Sequence, residues 1–203
     1  MITIIDYGMG NVGSLENMIK RVGGEVIVSS SPDDIKEANK LILPGVGHFD
    51  NAVQRLKENG FLDLLNQKVI DKKVPILCIC LGAQLVTESS EEGKLPGLGW
   101  VKARTVRFRM DADPDFKIPH MGWNDVNLRK DSILFKNMYM EPCFYFVHSY
   151  HFVCYDPADI LTTSFYGYEF TSAIEHENIY AVQFHPEKSH KYGIMLMRNF
   201  VEL

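Results

Sequence analysis

Val74-Pro75-Ile76-Leu77-Cys78-Ile79-Cys80-Leu81-Gly82-Ala83-Gln84-Leu85 decides how the rest of the chain is read. Its first half is an apolar run with the length of a strand buried on both faces, as in a parallel sheet. Cys80 follows as a sharp turn. Gly82 lets the backbone pass close to a neighbour or take a φ that other residues avoid. Ala83, Gln84 and Leu85 suit the start of a helix, expected from about Gly82 to Ser89. A cysteine at a strand-to-helix turn lies near free backbone N–H groups and the positive end of a helix dipole. Such surroundings favour the thiolate. The same N–H groups can hold an oxyanion once sulfur has attacked a carbonyl. This is a nucleophile elbow with sulfur in place of a hydroxyl; an inert, buried cysteine is the competing reading.

Outward from this unit, the strand–turn–helix order repeats. Strands are expected at Ile2 to Asp6, Val26 to Ser29 and Lys40 to Leu43, with helices at about Val12 to Val22, after Ser31-Pro32, at Asp50 to Asn59 and at Phe61 to Lys72. That order predicts an α/β fold, a doubly wound, mostly parallel sheet with helices on both faces. Ligands should then sit beyond the carboxyl ends of the strands. The glycine turns Tyr7-Gly8-Met9-Gly10-Asn11 and Pro44-Gly45-Val46-Gly47 fall at that edge, as does Cys80. After Glu91-Glu92-Gly93 the chain becomes β-rich, at Trp100 to Met110, Trp123 to Leu128, Cys143 to Val147, His151 to Tyr155, Leu161 to Tyr166 and Thr171 to Glu175. These predict a smaller antiparallel section. Ile179 to Phe184 is a final core strand, and Gly193 to Leu203 closes the chain as a helix.

The chain has 203 residues, and no linker, repeat or low-complexity segment divides them, so residues 1–203 are expected to form one domain. A net charge of −5 without a Lys/Arg block argues against a nucleic-acid partner. The first residues resemble a strand rather than a leader, and no apolar run approaches a membrane span. A soluble cytoplasmic protein is expected. Cys78, Cys80, Cys143 and Cys154 form no C-x-x-C and no zinc spacing with histidines, so neither metal nor cofactor is expected. Asp6-x-Gly8-x-Gly10 is not G-x-G-x-x-G, and a phosphate loop is a weak reading of it.

A cysteine nucleophile needs a base and a group that orients the base. Of seven histidines, His185 is the best placed. It ends the strand Tyr180-Ala181-Val182-Gln183-Phe184, and Pro186 stiffens the link to Glu187, whose carboxylate can hold the second ring nitrogen.

Together, Cys80-Leu81-Gly82-Ala83-Gln84, Phe184-His185-Pro186-Glu187 and Pro44-Gly45-Val46-Gly47 resemble the motifs of the class I, or triad, glutamine amidotransferases, over essentially the whole chain. The resemblance implies a flavodoxin-like α/β fold and a glutaminase with Cys80 as nucleophile, His185 as base and Glu187 as orienting acid. It implies oxyanion donors at Leu81 and in the Val46–Gly47 strand, and glutamine contacts at Gly45, Gln84, Ser149 and Tyr150.

Within the family, Asp6-Tyr7-Gly8-x-Gly10-Asn11, Pro119-His120-Met121-Gly122-Trp123-Asn124 and Phe146-Val147-His148-Ser149-Tyr150 are similar to one branch. Its members supply ammonia to a (β/α)8-barrel cyclase partner, as a heterodimer, in histidine biosynthesis. That similarity implies Asn11, Met121, Trp123 and Lys188 at the interface around the ammonia exit. A paralogous branch, supplying ammonia with a barrel partner for amidino groups on bacterial surface sugars, would carry the same motifs. A peptidase-like cysteine hydrolase and an inactive binding subunit are the readings from other classes. One departure stands out: the family usually has glycine where this chain has Cys78, so crowding at the elbow is expected.

Overall fold

The structure, a computed structural model, describes residues 1–110 and 116–203. Its elements alternate as the sequence predicts through the first half: β1 (Ile2–Ile5), α1 (Val12–Arg21), β2 (Val26–Ser29), α2 (Pro32–Glu37), β3 (Lys40–Gly45), α3 (Phe49–Glu58), α4 (Phe61–Asn66), β4 (Ile76–Cys80) and α5 (Leu81–Leu85). Then follow β5 (Ser89–Ser90), β6 (Ala103–Arg107), β7 (His120–Asp125), β8 (Asn127–Leu128), β9 (Cys143–His148), β10 (Tyr150–Cys154), β11 (Ile160–Tyr166), β12 (Tyr168–His176), β13 (Ile179–Val182) and α6 (His190–Glu202).

Among the described residues, eleven strands form one sheet whose main path runs β2-β1-β3-β4-β13-β12-β10-β6-β5. The half from β2 to β13 is parallel, and the sheet turns antiparallel at β12. β7 and β9 pair separately as an antiparallel ribbon. This confirms the α/β expectation, with a large mostly parallel sheet and a small antiparallel one.

Successive strand residues point to opposite faces, and this sorts the core. Ile5, Leu41, Leu43, Ile76 and Cys78 pack with Phe49, Leu56, Phe61 and Leu65 of α3 and α4 on one face. Ile4, Ile42, Leu77 and Ile79 pack with Leu15, Ile19, Leu196 and Phe200 of α1 and α6 on the other. β4 is buried at every position because helices cover both faces.

Several expectations need correction. The helix after Cys80 ends at Leu85 rather than Ser89, because Ser89 and Ser90 pair with Arg104 and Thr105 as a short strand. The segment Phe61 to Lys72 is not one α-helix: past Asn66 the chain widens into a π turn, Gln67–Asp71. There the buried Lys68 ammonium donates to the carbonyls of Lys36 and Ala38 and closes the end of α2. Strand β3 runs on to Gly45, β13 stops at Val182, and of the segment Trp100 to Met110 only Ala103–Arg107 forms a strand. Cys78 does not crowd the elbow. Its φ is not positive, and its side chain is fully buried beside Leu43 on the face covered by α3 and α4.

No helix among the described residues is long and apolar enough to cross a membrane.

Candidate active site

The ends of β3, β4 and β13 place the chemistry. β4 lies between β3 and β13, with Gly45 opposite Cys80 and Val182 opposite Ile79. Cys80 ends β4 with φ 54° and ψ −111°, a positive-φ conformation that a residue with a side chain rarely adopts and that marks a strained turn. The turn is held by close approach. A Cβ on Gly82 would fall 2.0 Å from the Leu43 carbonyl oxygen, and one on Gly45 would fall 2.6 Å from the Gly82 nitrogen. Gly82 is therefore needed for proximity rather than for a positive φ. Because α5 spans only five residues, what it brings to Cys80 is the free N–H groups of its first turn more than a full helix dipole.

His185 follows β13 on a rigid turn. Its N–H donates to the Tyr145 carbonyl at 2.9 Å, and its own carbonyl accepts from the Ser189 hydroxyl at 2.6 Å. That hydroxyl also accepts from the Tyr145 N–H at 3.0 Å, so Ser189 ties β9 to the turn. Gly193 lets α6 press on the turn, since a Cβ there would meet the Pro186 carbonyl.

Glu187 Oε1 lies 2.8 Å from His185 Nδ1, with both side chains 3% exposed. A carboxylate accepts, so Nδ1 carries the proton and Nε2 is left for the reacting side. Nε2 is buried and makes no hydrogen bond within ordinary limits among the described residues. Cys80 is nevertheless close enough to act on the ring. Burial opposes the imidazolium, but the Cys80 sulfur and the Glu187 carboxylate outweigh it and raise His185 to about 10.

Cys80 and His185 open on one cavity of about 330 Å³, whose wall also includes Val46, Gly47, Leu81, Gln84, Ser149, Tyr150 and Lys188. The structure thus brings the expected nucleophile, base, oxyanion strand and most of the expected glutamine contacts to one place. Gly45 is the exception. It lies beneath the cavity in the β3–β4 ladder and spaces the elbow rather than lining the wall.

Three residues of the site carry no motif of their own in the sequence. Gln183 is fully buried, and its Nε2 lies 3.7 Å from Cys80 Sγ while its Oε1 accepts from Gln84 Nε2 at 3.0 Å. Glu92 lines the cavity and accepts from the Phe49 N–H at the start of α3, 2.8 Å away. Burial, with Glu92 next, raises the Tyr150 phenol above its ordinary value. Ser189 is the third. Gln183 precedes the motif Phe184-His185-Pro186-Glu187 directly, which was the only signal for it in the sequence.

The expected interface residues lie outside the cavity, apart from Lys188. Met121 and Trp123 are 61% and 46% exposed on β7. Trp123 stacks on His190 at 5.3 Å between ring centroids, and the Lys188 ammonium sits 5.7 Å from the Tyr145 ring. Asn11 is exposed at the N-terminal end of α1, which packs against the Pro186–Lys188 turn. Among the described residues no group of acidic, histidine and cysteine side chains could hold a metal ion.

Residues 3–203 match the family described as glutamine amidotransferase class-I. The imidazole glycerol phosphate synthase subunit HisH 2 of Methanococcus maripaludis is 54% identical over 202 residues, covering 100% of this chain and 99% of that protein. The subunit of the same name from Pseudomonas aeruginosa is 48% identical, with both chains covered in full. The subunit HisH of Leptospira borgpetersenii is 44% identical, again covering both chains in full. A solved glutamine amidotransferase superposes with a TM-score of 0.75 at 18% identity, covering 99% of this chain and 97% of that one. PurLQS from Thermotoga maritima gives 0.73 at 15% identity, with the same coverage. These two likenesses concern the fold.

Proposed function

The chain belongs to the class-I glutamine amidotransferase family, and from that premise we propose that it is the glutaminase subunit of an imidazole glycerol phosphate synthase. It hydrolyses glutamine to glutamate and ammonia and passes the ammonia to a cyclase partner. The partner is a (β/α)8 barrel, joined as a heterodimer, that makes imidazole glycerol phosphate and an aminoimidazole carboxamide nucleotide in histidine biosynthesis. Residues 1–203 act as one amidotransferase domain in the cytoplasm. The observation that carries this reading is Cys80 and the buried His185–Glu187 pair over one cavity, at the carboxyl ends of adjacent parallel strands.

In the proposed reaction the Cys80 thiol passes its proton to His185 Nε2 and its sulfur attacks the side-chain amide carbon of glutamine. His185 gives its Nε2 proton to the departing ammonia, then takes one from a water that releases glutamate from the thioester. Glu187 holds the ring in the productive tautomer and supports its positive charge. Leu81 N–H and a backbone N–H of the Val46–Gly47 strand take the oxyanion, and one such donor is typically worth about 10²–10³ in turnover. Gln84, Ser149 and Tyr150 hold the glutamine. Asn11, Met121, Trp123 and Lys188 surround the ammonia exit.

The surface-sugar paralogue shares these residues. It is not favoured, because relatives at 44–54% identity over the full chain are named as synthase subunits. An inactive binding subunit would have no use for the buried imidazole–carboxylate pair. The test is synthesis of imidazole glycerol phosphate by the complex. Wild type should use glutamine or free ammonia, and Cys80→Ala only ammonia. A Cys80→Ala complex that still used glutamine would sink the assignment.

A further inference from the structure

Two buried histidines outside the triad, His120 and His148, are linked in a chain of hydrogen bonds that has only one consistent direction. They face each other across the β7–β9 ribbon. His148 Nδ1 lies 2.7 Å from the Tyr150 carbonyl oxygen. A carbonyl only accepts, so this nitrogen is the N–H. Burial holds His148 well below its ordinary value, so the ring is neutral and its Nε2 is an acceptor. His120 Nδ1, 2.8 Å from that Nε2, must then be the donor. Burial lowers His120 to about 4, so its own Nε2 is an acceptor too, and it receives the Asn124 amide at 3.2 Å. The same amide nitrogen donates its second hydrogen to the Phe165 carbonyl at 2.8 Å. Every ring nitrogen is used, and one tautomer of each histidine satisfies all contacts.

The two ends of this chain lie on different surfaces. His120 and Asn124 are on β7, the strand that exposes Met121 and Trp123 from its other face. Tyr150 lies in the cavity wall with Ser149 and His148. Ser149 is the corner at which the chain leaves the ribbon and enters the large sheet. Its carbonyl accepts from the Phe108 N–H at 3.0 Å, and His148 fastens the next carbonyl. Among the described residues the hydroxyls of Ser149 and Tyr150 have no side-chain partner, so they are available to a ligand, and their placement depends on the backbone of the corner. Tyr166 stacks on the His120 ring at 4.1 Å and Phe146 at 5.0 Å, which keeps the ring from turning.

We propose that His120 is a positioning residue for glutamine: through His148 it holds the Ser149–Tyr150 corner in the shape that binds substrate, and it ties that corner to the exposed strand β7. This rests on the cavity being the glutamine site. His120 touches neither substrate nor reacting atoms, so its loss acts on binding rather than on the chemical step.

The experiment measures KM and kcat for glutamate release by the complex of the full chain with its cyclase and nucleotide. His120→Leu removes the donor and should raise KM about tenfold, the effect of one hydrogen bond, with kcat within about twofold. His120→Asn places an amide N–H where Nδ1–H stood and should return KM to within about threefold of wild type. His120→Gln reaches the other ring position, cannot donate to His148 and should behave like Leu. If Leu fails to fold, the Asn and Gln pair carries the comparison. Unchanged KM in Leu or Gln, loss confined to kcat, or no difference between Asn and Gln in folded variants overturns the proposal. Ring nitrogen NMR of the wild-type chain gives an independent reading. His120 and His148 should both be protonated at Nδ1 alone, and a His120 protonated at Nε2 overturns the proposal. A wild-type complex that releases no glutamate would instead overturn the function assigned above, and the NMR result would still decide the tautomers.

Discussion

Gln183 Nε2 lies 3.7 Å from Cys80 Sγ, reaching from the end of β13 to the sulfur at the end of the adjacent strand β4. Its carbonyl oxygen meanwhile accepts from Gln84 at 3.0 Å. A single buried amide thus steadies both the sulfur and a glutamine-binding candidate. Gln183→Leu keeps the volume and removes both bonds. Stability should fall by about 1–3 kcal/mol, because the Gln84 amide loses its partner. Turnover should fall roughly tenfold, the effect of one hydrogen-bond donor lost beside the attacking sulfur. Urea unfolding and glutamate release check the two effects; wild-type values in both would refute the role.

Glu187→Gln keeps the shape beside His185 but removes the charge. Together with the Cys80 sulfur, that charge raises the ring to about 10, above its ordinary value of 6.5. The sign follows. The stability that the imidazolium contributes is full below 6.5 and is lost as pH rises through about 10. In Glu187→Gln the NMR titration of His185 should move down from wild type, and kcat should fall by about 10²–10⁴ because the tautomer is no longer enforced. An unmoved titration would mean that Glu187 does not support the charge.

His120 and His148 have the opposite sign. The unfolded chain takes up protons near pH 6.5, whereas folded His120 resists until about 4, and burial holds His148 well below its ordinary value. Their contribution is present above pH 6.5 and is lost as pH falls toward 4. For His120 alone the loss at pH 5 is on the order of 2 kcal/mol. Urea unfolding at pH 7.5, 6 and 5 should show this slope, and His120→Asn should flatten it. Equal acid slopes in the two proteins would contradict the assignment.

Trp123 is half exposed, with its indole stacked on His190. Truncating it uncovers little core, so Trp123→Ala should hardly change the melting temperature. If β7 meets the cyclase, affinity should drop by about 2 kcal/mol, roughly thirtyfold. Calorimetric titration with the cyclase measures this. An unfolded variant, or unchanged affinity, would remove Trp123 from the interface.

What the sequence revealed was local chemistry. The apolar run before Cys80, the glycine after it and the short reach from His185 to Glu187 each carry their meaning within a few residues. The features it hid depend on which strands become neighbours. Gln183 reaches Cys80 only because β13 pairs with β4, from the far end of the chain. Glu92 matters because its loop returns to the start of α3. The early end of α5 reflects pairing of Ser89 and Ser90 with β6, which helix propensity cannot foresee. Cys78 looked like an obstacle because the sequence does not say which way its side chain points. It faces the helix-covered core, where a small thiol fits beside Leu43.

The most direct test of the account is glutamate release from glutamine by the chain alone, with the cyclase, and with the cyclase carrying its nucleotide, using Cys80→Ala as the blank. Ammonia released without an acceptor is lost, so a low rate alone and strong stimulation by the liganded cyclase are expected. Equal rates in all three conditions, from a folded chain whose Cys80 reacts with an electrophilic glutamine analogue, would contradict it and assign the ammonia to another partner.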